Sequence, residues 1–244
     1  SMKVIGVIPC RYKSSRFPGK PIEIICGKPM LWHVWNQAKK TKFVDNLIVA
    51  TDDDHIYNVC YQYGIESIMT SDDHNTGTDR VAEVAERIEG DVFVNIQGDE
   101  PMIDPSGIDV VVAEIINNDE ESIANAFALI ENKSDLINGN VVKVITSNTN
   151  YAIAYSRSPI PYPKESNPIY KRQIGLYAIK RESILEFPSL NRGYLELSEG
   201  IEMLRYLENG YKIKMVEVSD NNSIPVDVPD DIMRVESLMK NRGD

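Results

Sequence analysis

The chain has 244 residues, of which 42% are hydrophobic and 26% are charged, proportions that are ordinary for a globular protein. Its formal net charge of −11 at pH 7 argues against general nucleic-acid binding, and the lack of a long apolar run argues against membrane insertion. Three cysteines without CxxC spacing and three scattered histidines favour reduced thiols over disulfides or a zinc site, and without a secretory leader we expect a cytoplasmic protein.

Apolar runs and helical patterns alternate through the first half of the chain. Continuous apolar runs predict buried strands at 3–9, 46–51, 66–70 and 91–96. Helical spacing of apolar residues predicts helices at 29–40, 54–62 and 77–89. This alternation predicts an α/β fold with a doubly wound, mostly parallel, Rossmann-like sheet.

The second half has strands in closer succession. We predict strands at 122–130, 141–146, 151–156, 172–179 and 212–218, and helices at 181–187, 199–209 and from Pro229. Four prolines within 158–168 predict a loop there. We therefore expect one domain over residues 1–244, in which a smaller mixed annex at about 122–218 closes a site or forms a dimer face.

A basic loop, CRYKSSRFPGKP at 10–21, follows the first predicted strand. It carries four cations in an otherwise acidic chain: Arg11, Lys13, Arg16 and Lys20. One interpretation is a solvated surface patch, and the other is a site for the phosphates of a nucleoside triphosphate, bound by cations and loop amides. Gly19 would let the backbone approach a phosphate closely, although the loop is not a Walker A sequence.

The stretch NIQGDEP at 95–101 follows the fourth predicted strand. Because ligands of parallel sheets bind outside the carboxyl ends of the strands, this turn and the basic loop are expected to face one crevice. Asp99 could there hold a divalent metal on the phosphates, or form an Asx turn before Pro101.

Seven segments, in order along nearly the whole chain, resemble 3-deoxy-manno-octulosonate cytidylyltransferases, the CMP-Kdo synthetases. The basic loop is similar to their signature RYxSxRxPGKP. The other six segments are HNTGTDR (74–80), NIQGDEPMI (95–103), YSRSPIP (155–161), IGLY (174–177), LELSEGIEMLR (195–205) and VDVPDD (226–231). One short loop could match by chance, but chance does not explain seven matches in the same order along nearly the whole chain.

The resemblance implies a reaction in which CTP and Kdo (3-deoxy-D-manno-octulosonate) give CMP-Kdo and pyrophosphate, for lipopolysaccharide or capsule synthesis. It also implies Mg²⁺ as cofactor and a homodimer. It implies nucleotide contacts by Arg11, Ser14, Arg16, Lys20, Thr78 and Arg80, with Arg11 and Lys20 catalytic. It implies magnesium ligands and catalytic roles for Asp99 and Asp227. It implies a sugar pocket formed by Gln97, Arg157, Gln173, Tyr177, Glu199 and Glu202.

Bland alternatives accompany several of these residues. Asp227 precedes Pro229 and could instead cap the last helix. Arg157 could form a structural salt bridge rather than face the sugar carboxylate, and glutamates spaced three apart at 196–202 could be a solvated helix face. Gln173 stands where the family usually has histidine. Because a carboxamide cannot become charged near neutral pH, the acid sugar could be an amino analogue of Kdo or another ulosonic acid.

The sequence also allows two other classes of function, a non-catalytic binding protein and a glycosyltransferase. A non-catalytic nucleotide-sugar binding protein would not need both Asp99 and Asp227. A glycosyltransferase commonly carries a DxD metal motif, which TDDD at 51–54 could mimic. We interpret TDDD as a turn and a helix cap, because aspartate favours that position.

Overall fold

A computed structural model describes residues 1–219 and 224–243. In chain order the strands are β1 (Val4–Cys10), β2 (Ile24–Ile25), β3 (Lys28–Pro29), β4 (Asn46–Thr51), β5 (Ser67–Met69), β6 (Val92–Ile96), β7 (Ile123–Leu129), β8 (Lys143–Thr146), β9 (Ala152–Ser156), β10 (Lys171–Lys180) and β11 (Lys214–Glu217). The helices are α1 (Met30–Ala38), α2 (Asp54–Gln62), α3 (Gly77–Arg87), α4 (Pro105–Asn117), α5 (Lys133–Ile137), α6 (Arg181–Glu186), α7 (Tyr194–Glu199), α8 (Leu204–Glu208) and α9 (Asp230–Asn241). Short 3₁₀ turns cover Lys20–Ile22 and Phe187–Ser189.

One large sheet forms the centre of the protein, in the order β11-β7-β10-β6-β1-β4-β5. β1 pairs in parallel with β4 and β6, and β4 pairs in parallel with β5. β10 runs antiparallel between β6 and β7, and the β8–β9 hairpin is attached to β10. The predicted fold class is confirmed, with the antiparallel strands joined to the same sheet as the parallel ones.

Helices cover both faces of this sheet, as a doubly wound fold requires. Apolar side chains of α1, α2 and α4 pack on one face, where Leu31, Ile56 and Ile108 are fully buried. Side chains of α3, α6 and α8 pack on the other face. The alternating burial on the two sides explains why β1 and β6 consist almost entirely of buried residues.

The predicted elements of the first half agree with the structure to within about two residues. Helix α4 was not predicted, although Asp104 caps it and Pro105 occupies its first turn. One face of the helix packs on β7 and β10, while the apolar Val110 lies on the exposed face, where it interrupts the helical pattern of polar residues. The short α5 and the β2–β3 pair were also not predicted.

The helix predicted at 199–209 is wrong. Gly200 adopts a left-handed conformation with φ of 65°, which ends α7 at Glu199. A new helix, α8, begins at Leu204, so the segment is two short helices with a turn between them. The prolines at 158–168 do form an irregular loop, and the three cysteines are free thiols, as predicted. Within the described part of the chain, no helix is long and apolar enough to cross a membrane.

A buried arginine joins α3, α7 and α8. Arg205 donates to Asp79 from Nη1 at 2.8 Å and from Nη2 at 3.1 Å, and to both oxygens of Glu196 at 2.9 Å. Its guanidinium also lies 4.0 Å from the centre of the Phe187 ring. Glu196 is 1% exposed, so the prediction of a solvated glutamate face does not hold at this position.

We expect Arg205→Met to lower the free energy of unfolding by about 3–5 kcal/mol, because it leaves the buried carboxylate of Asp79 without a cation and removes the buried partner of Glu196. The control is Arg192→Met, which removes a more exposed partner of the same Glu196 and should cost at most about 1 kcal/mol. Urea unfolding followed by circular dichroism measures both values. Equal costs for the two variants would contradict a central role for Arg205.

Candidate active site

The carboxyl ends of the parallel strands meet at one edge of the sheet. β1 leads into the basic loop, and its neighbour β6 leads into the turn that carries Asp99. The first turn of α3 lies at the same edge, where a Cβ on Gly77 would approach Pro9 to 3.3 Å. This is the crevice in which open α/β sheets bind ligands.

The basic loop is held in shape by its own backbone and by one apolar anchor. Gly19 has φ of 71°, and its N–H donates to the Tyr12 carbonyl at 2.8 Å. Phe17 is 6% exposed and packs in a cluster with Ile25 and Val226. The loop therefore presents a concave surface, which is lined by Arg11, Tyr12, Lys13, Ser14, Ser15 and Pro18.

Ser14 and Arg16 each have a defined hydrogen-bond partner. Ser14 accepts a hydrogen bond from the Phe17 N–H at 3.3 Å, which tightens the turn. Arg16 donates to Asn140 Oδ1 at 3.0 Å and so joins the loop to the segment before β8. Arg11 is exposed at the start of the loop. The loop cations therefore surround an open, electropositive surface in an acidic protein.

Lys20, Asp99 and Asp227 lie together although the chain separates them widely. The Val226 N–H donates to the Asp99 carbonyl at 2.7 Å, and Lys20 Nζ donates to the Val226 carbonyl at 3.0 Å. Burial raises the pKa of the Asp99 carboxyl, the Asp227 charge raises it further, and the Lys20 ammonium opposes both effects. Because ionisation of Asp99 is unfavourable in this crevice, a cation bound there would stabilise the ionised carboxylate.

These two carboxylates fit magnesium. Mg²⁺ usually takes one or two carboxylates and completes its octahedron with water and substrate phosphates. Across residues 1–219 and 224–243, no group of three or more histidine, cysteine or acidic side chains could form an all-protein metal site. The helix-cap alternative for Asp227 is not met, because Pro229 is the N-cap of α9 and no side chain of the described residues caps it. Asp231, in the first turn of α9, instead accepts from the N–H groups of Asp227 at 2.9 Å and Val228 at 3.1 Å.

Thr78 and Arg80, predicted near the nucleotide, lie in the first turns of α3. Thr78 is fully buried, and its hydroxyl accepts from Asn95 Nδ2 at 3.2 Å. Arg80 donates from Nη1 to Thr70 Oγ1 and to the Ser71 carbonyl, both at 2.8 Å. Burial lowers the pKa of Arg80, and the Asp52 charge opposes this effect. Arg80 is thereby fixed at the edge formed by β4 and β5.

Three of the residues predicted to bind sugar form one cluster on β6, β10 and the turn before α8. Gln97 Nε2 donates to Glu202 Oε1 at 3.3 Å and lies 3.4 Å from the Tyr177 hydroxyl. Glu202 Oε2 accepts from the Thr78 N–H at 3.3 Å. Burial raises the pKa of both Glu202 and Tyr177. Gly175 leaves room for this cluster, because a Cβ there would lie 2.5 Å from Gln97 Oε1 and would displace the Gln97 carboxamide.

Gln173 belongs to a second polar group behind the first. Its Nε2 donates to Asn125 Oδ1 at 2.9 Å, and the Tyr155 hydroxyl donates to the same oxygen at 2.9 Å. Asn125 in turn donates to the carbonyls of Ile174 and Leu176. Asn125 and Tyr155 were not predicted; the available signal was an asparagine inside the apolar strand IANAFAL.

Arg157 and Glu199 lie together at the ends of β9 and α7. The Arg157 N–H donates to Glu199 Oε1 at 3.0 Å, and its guanidinium donates to the carbonyls of Glu199, Gly139 and Gly200. These contacts tie α7 to the segment before β8. They are structural contacts, so a role for Arg157 toward a sugar carboxylate stays a prediction.

Within TDDD, Asp53 is the N-cap of α2 and accepts from the Ile56 N–H at 3.1 Å. The interpretation of this segment as a turn and helix cap is therefore confirmed.

Comparisons with known proteins agree over the whole chain. A family model described as Cytidylyltransferase matches residues 5–213. A 3-deoxy-manno-octulosonate cytidylyltransferase of Trichlorobacter lovleyi is 41% identical over 98% of this chain and 99% of that protein. One from Solibacter usitatus is 42% identical over 98% and 95% of the two chains.

Solved structures extend the comparison. CMP:2-keto-3-deoxy-manno-octonic acid synthetase complexed with CTP superposes with a TM-score of 0.93 at 35% identity, covering 98% of this chain and 99% of that one. A cytidylyltransferase of Leptospira borgpetersenii superposes with a TM-score of 0.68 at 17% identity, covering 99% and 88% of the two chains, and shares the fold.

We expect Asp99→Asn to stabilise the metal-free protein at pH 8. The pKa of Asp99 in the folded protein lies above its ordinary value of 3.8, which applies in the unfolded chain. Ionisation of Asp99 therefore opposes folding at high pH and has no effect at a pH below both the folded and the unfolded pKa. The gain should therefore shrink as the pH falls toward 4. Urea unfolding with a chelator at both pH values measures this gain. Asp119→Asn, at an exposed position, is the control, and a variant less stable than the parent at pH 8 would contradict the argument.

Proposed function

Because this chain belongs to the cytidylyltransferase family, we propose that it transfers CMP from CTP to 3-deoxy-D-manno-octulosonate, giving CMP-Kdo and pyrophosphate. The observation that carries the proposal is the meeting of the basic loop, through Lys20, with the carboxylates of Asp99 and Asp227. The relatives that are about 40% identical over the full chain carry the name of this activity. Membership in this family makes the protein an enzyme and sets aside the non-catalytic binding alternative.

Three candidate subsites lie side by side along the sheet, in the same order as the sugar, the phosphate and the base of the proposed product. The Gln97–Tyr177–Glu202 cluster lies at β6 and β10, the basic loop follows β1, and Arg80 lies beside β4 and β5. An acid sugar, a phosphate and a nucleoside base would occupy these three positions in turn. Such a ligand would span the crevice without crossing the sheet.

The reaction joins the sugar to the α-phosphorus of CTP. The anomeric hydroxyl attacks that phosphorus in line, a C–O–P bond forms, and the bond to pyrophosphate breaks. Negative charge grows on the leaving pyrophosphate, so Arg11 and Lys20 would stabilise it electrostatically, while Ser14, Arg16 and the loop amides would orient the phosphates. Bound to Asp99 and Asp227, magnesium would neutralise phosphate charge as a Lewis acid.

The sugar half is proposed to use polar groups that the protein already orients. Gln97, Tyr177 and Glu202 would contact the hydroxyls of the sugar, and Arg157 and Glu199 would shape the pocket wall. A second candidate is an amino analogue of Kdo or another ulosonic acid. It is favoured by Gln173, whose neutral carboxamide is engaged with Asn125 and cannot offer a charge to the substrate.

We further propose that the enzyme acts as a cytoplasmic homodimer and that its product enters lipopolysaccharide or capsule. The annex at about 122–218 supports the dimer, because it exposes several apolar side chains. Ile153, Tyr162 and Ile169 are 58%, 85% and 70% exposed. Apolar groups of this kind, close together in the chain, are typical of a surface that a second subunit covers.

We expect Lys20→Ala to lower kcat/KM for CTP by roughly tenfold or more while the circular dichroism spectrum is unchanged, because a cation close to the phosphates is lost. Lys42→Ala is the control, since Lys42 is exposed, lies outside the basic loop and makes the same change of charge. Steady-state pyrophosphate release measures both variants. Full activity of Lys20→Ala would return the loop to the interpretation as a solvated patch.

The proposed reaction itself is tested by pyrophosphate release from CTP and Mg²⁺ with a panel of acid sugars. The panel contains Kdo, 8-amino-Kdo and N-acetylneuraminic acid, with UTP, ATP and GTP as nucleotide controls and a chelator as metal control. Turnover with Kdo that stops on chelation is expected. Turnover with the amino analogue alone would make Gln173 a specificity residue, and failure with every acid sugar would overturn the proposal.

A further inference from the structure

One lysine of the annex is buried together with its charge. Lys143 on β8 is fully shielded from solvent, which is rare for a lysine unless partners match its charged group. Its Nζ donates to three backbone carbonyls, those of Asn138 at 2.8 Å, Val141 at 2.8 Å and Arg157 at 2.7 Å. Because an ammonium has three N–H donors, these contacts use all of them. Lys143 therefore anchors the chain around it and has no donor left for a substrate.

The turn at residues 138–141, here called the annex turn, is attached through this anchor. Two hydrogen bonds within the turn, both accepted by Asn138, set its local shape. Two cations then attach it to the neighbouring strands. Lys143 binds two of its carbonyls, and Arg157 Nη1 donates to the Gly139 carbonyl at 3.0 Å. The place of the annex turn in the fold thus depends on Lys143 and Arg157, whereas its shape does not.

The annex turn contacts both halves of the proposed site. On the phosphate side, Asn140 Oδ1 accepts from Arg16 Nη1 at 3.0 Å. A guanidinium has five N–H donors, so this contact orients Arg16 and does not use up its capacity for a phosphate. On the sugar side, Arg157 donates to the Gly139 carbonyl within the turn and to the Gly200 carbonyl after α7, the latter at 3.1 Å. One turn of four residues therefore links the two proposed subsites.

We propose that Lys143 is a positioning residue for both substrates. By fixing the annex turn, it orients Arg16 toward the nucleotide phosphates and holds Arg157 in the wall of the sugar pocket. The carbonyl of Arg157 is bound to Lys143 directly, and Arg16 is reached through Asn140. Orientation of bound groups matters because a displacement of about 1 Å can cost a hundredfold in rate. This inference rests on the proposed function for the identity of the two subsites.

The first test is Lys143→Met, which keeps a long unbranched side chain and removes the ammonium. We expect a rise of about threefold or more in the dissociation constant of CTP and in the KM for the acid sugar, because both guanidinium groups lose their fixed orientation. Calorimetry with CTP and Mg²⁺ measures the first constant, and steady-state pyrophosphate release with the acid sugar that is turned over measures the second. The control is Lys133→Met at an exposed position of α5, which should keep both constants.

The second test, Asn140→Ala, removes the link to Arg16 at an exposed residue and leaves the buried ammonium with its three carbonyls. We expect the dissociation constant of CTP to rise about threefold, as for the loss of one hydrogen bond. The KM for the acid sugar should stay the same, since Arg157 binds the backbone of the annex turn. Asn148→Ala, exposed in the turn between β8 and β9, is the control.

A merely structural Lys143 would give a different result. Lys143→Met would then lower the fraction of active protein, and so kcat, with the dissociation constant and the KM unchanged, and this outcome would overturn the inference. An unchanged dissociation constant for CTP in Asn140→Ala would overturn it too, even where Lys143→Met does not fold. The CTP measurements need no acid sugar, so they decide the inference separately from the failure of every sugar in the panel.

Discussion

The site depends on one backbone hydrogen bond, from the Val226 N–H to the Asp99 carbonyl at 2.7 Å. It attaches the segment before α9 to the turn after β6, and so brings Asp227 beside Asp99. The same Val226 offers its carbonyl to Lys20 and packs its side chain against Phe17. One residue without catalytic chemistry therefore holds the basic loop and both carboxylates in a common place.

This arrangement places unfavourable electrostatic interactions in the crevice. Burial and the Asp227 charge oppose ionisation of Asp99, while exposed cations on the loop repel one another. A triphosphate with a divalent cation would remove both unfavourable interactions, since the phosphates would neutralise the loop cations and the divalent cation would neutralise the carboxylates. An acidic chain can concentrate cations in one loop if an anionic ligand, rather than the chain's own carboxylates, neutralises them.

Sequence reasoning succeeded where the determining interactions are local. The apolar run of β1, the cap at Asp53 and the proline-rich loop at 158–168 each depend on neighbours within a few residues, and the fold class follows from the alternation of strands and helices. It failed where contacts between distant segments decide. The position of helix α4 depends on its packing against β7 and β10, and Glu196 is buried because Arg205 reaches it from α8. The break at Gly200 did have a local signal, because glycine often ends a helix. The helical periodicity of the surrounding residues nevertheless led to the prediction of one continuous helix.

The two halves of the site differ in how they are encoded. The proposed phosphate half lies in one short loop and one turn, where several residues line one open surface, and a motif describes them well. The sugar half is held by networks between segments: Gln173 through Asn125 and Tyr155, and Gln97 through Glu202, which Thr78 on another helix contacts. A substitution in such a network changes the orientation of its neighbours as well as its own chemistry. Reaction type is therefore legible from the sequence, whereas the choice of acid sugar depends on contacts that only the folded chain creates.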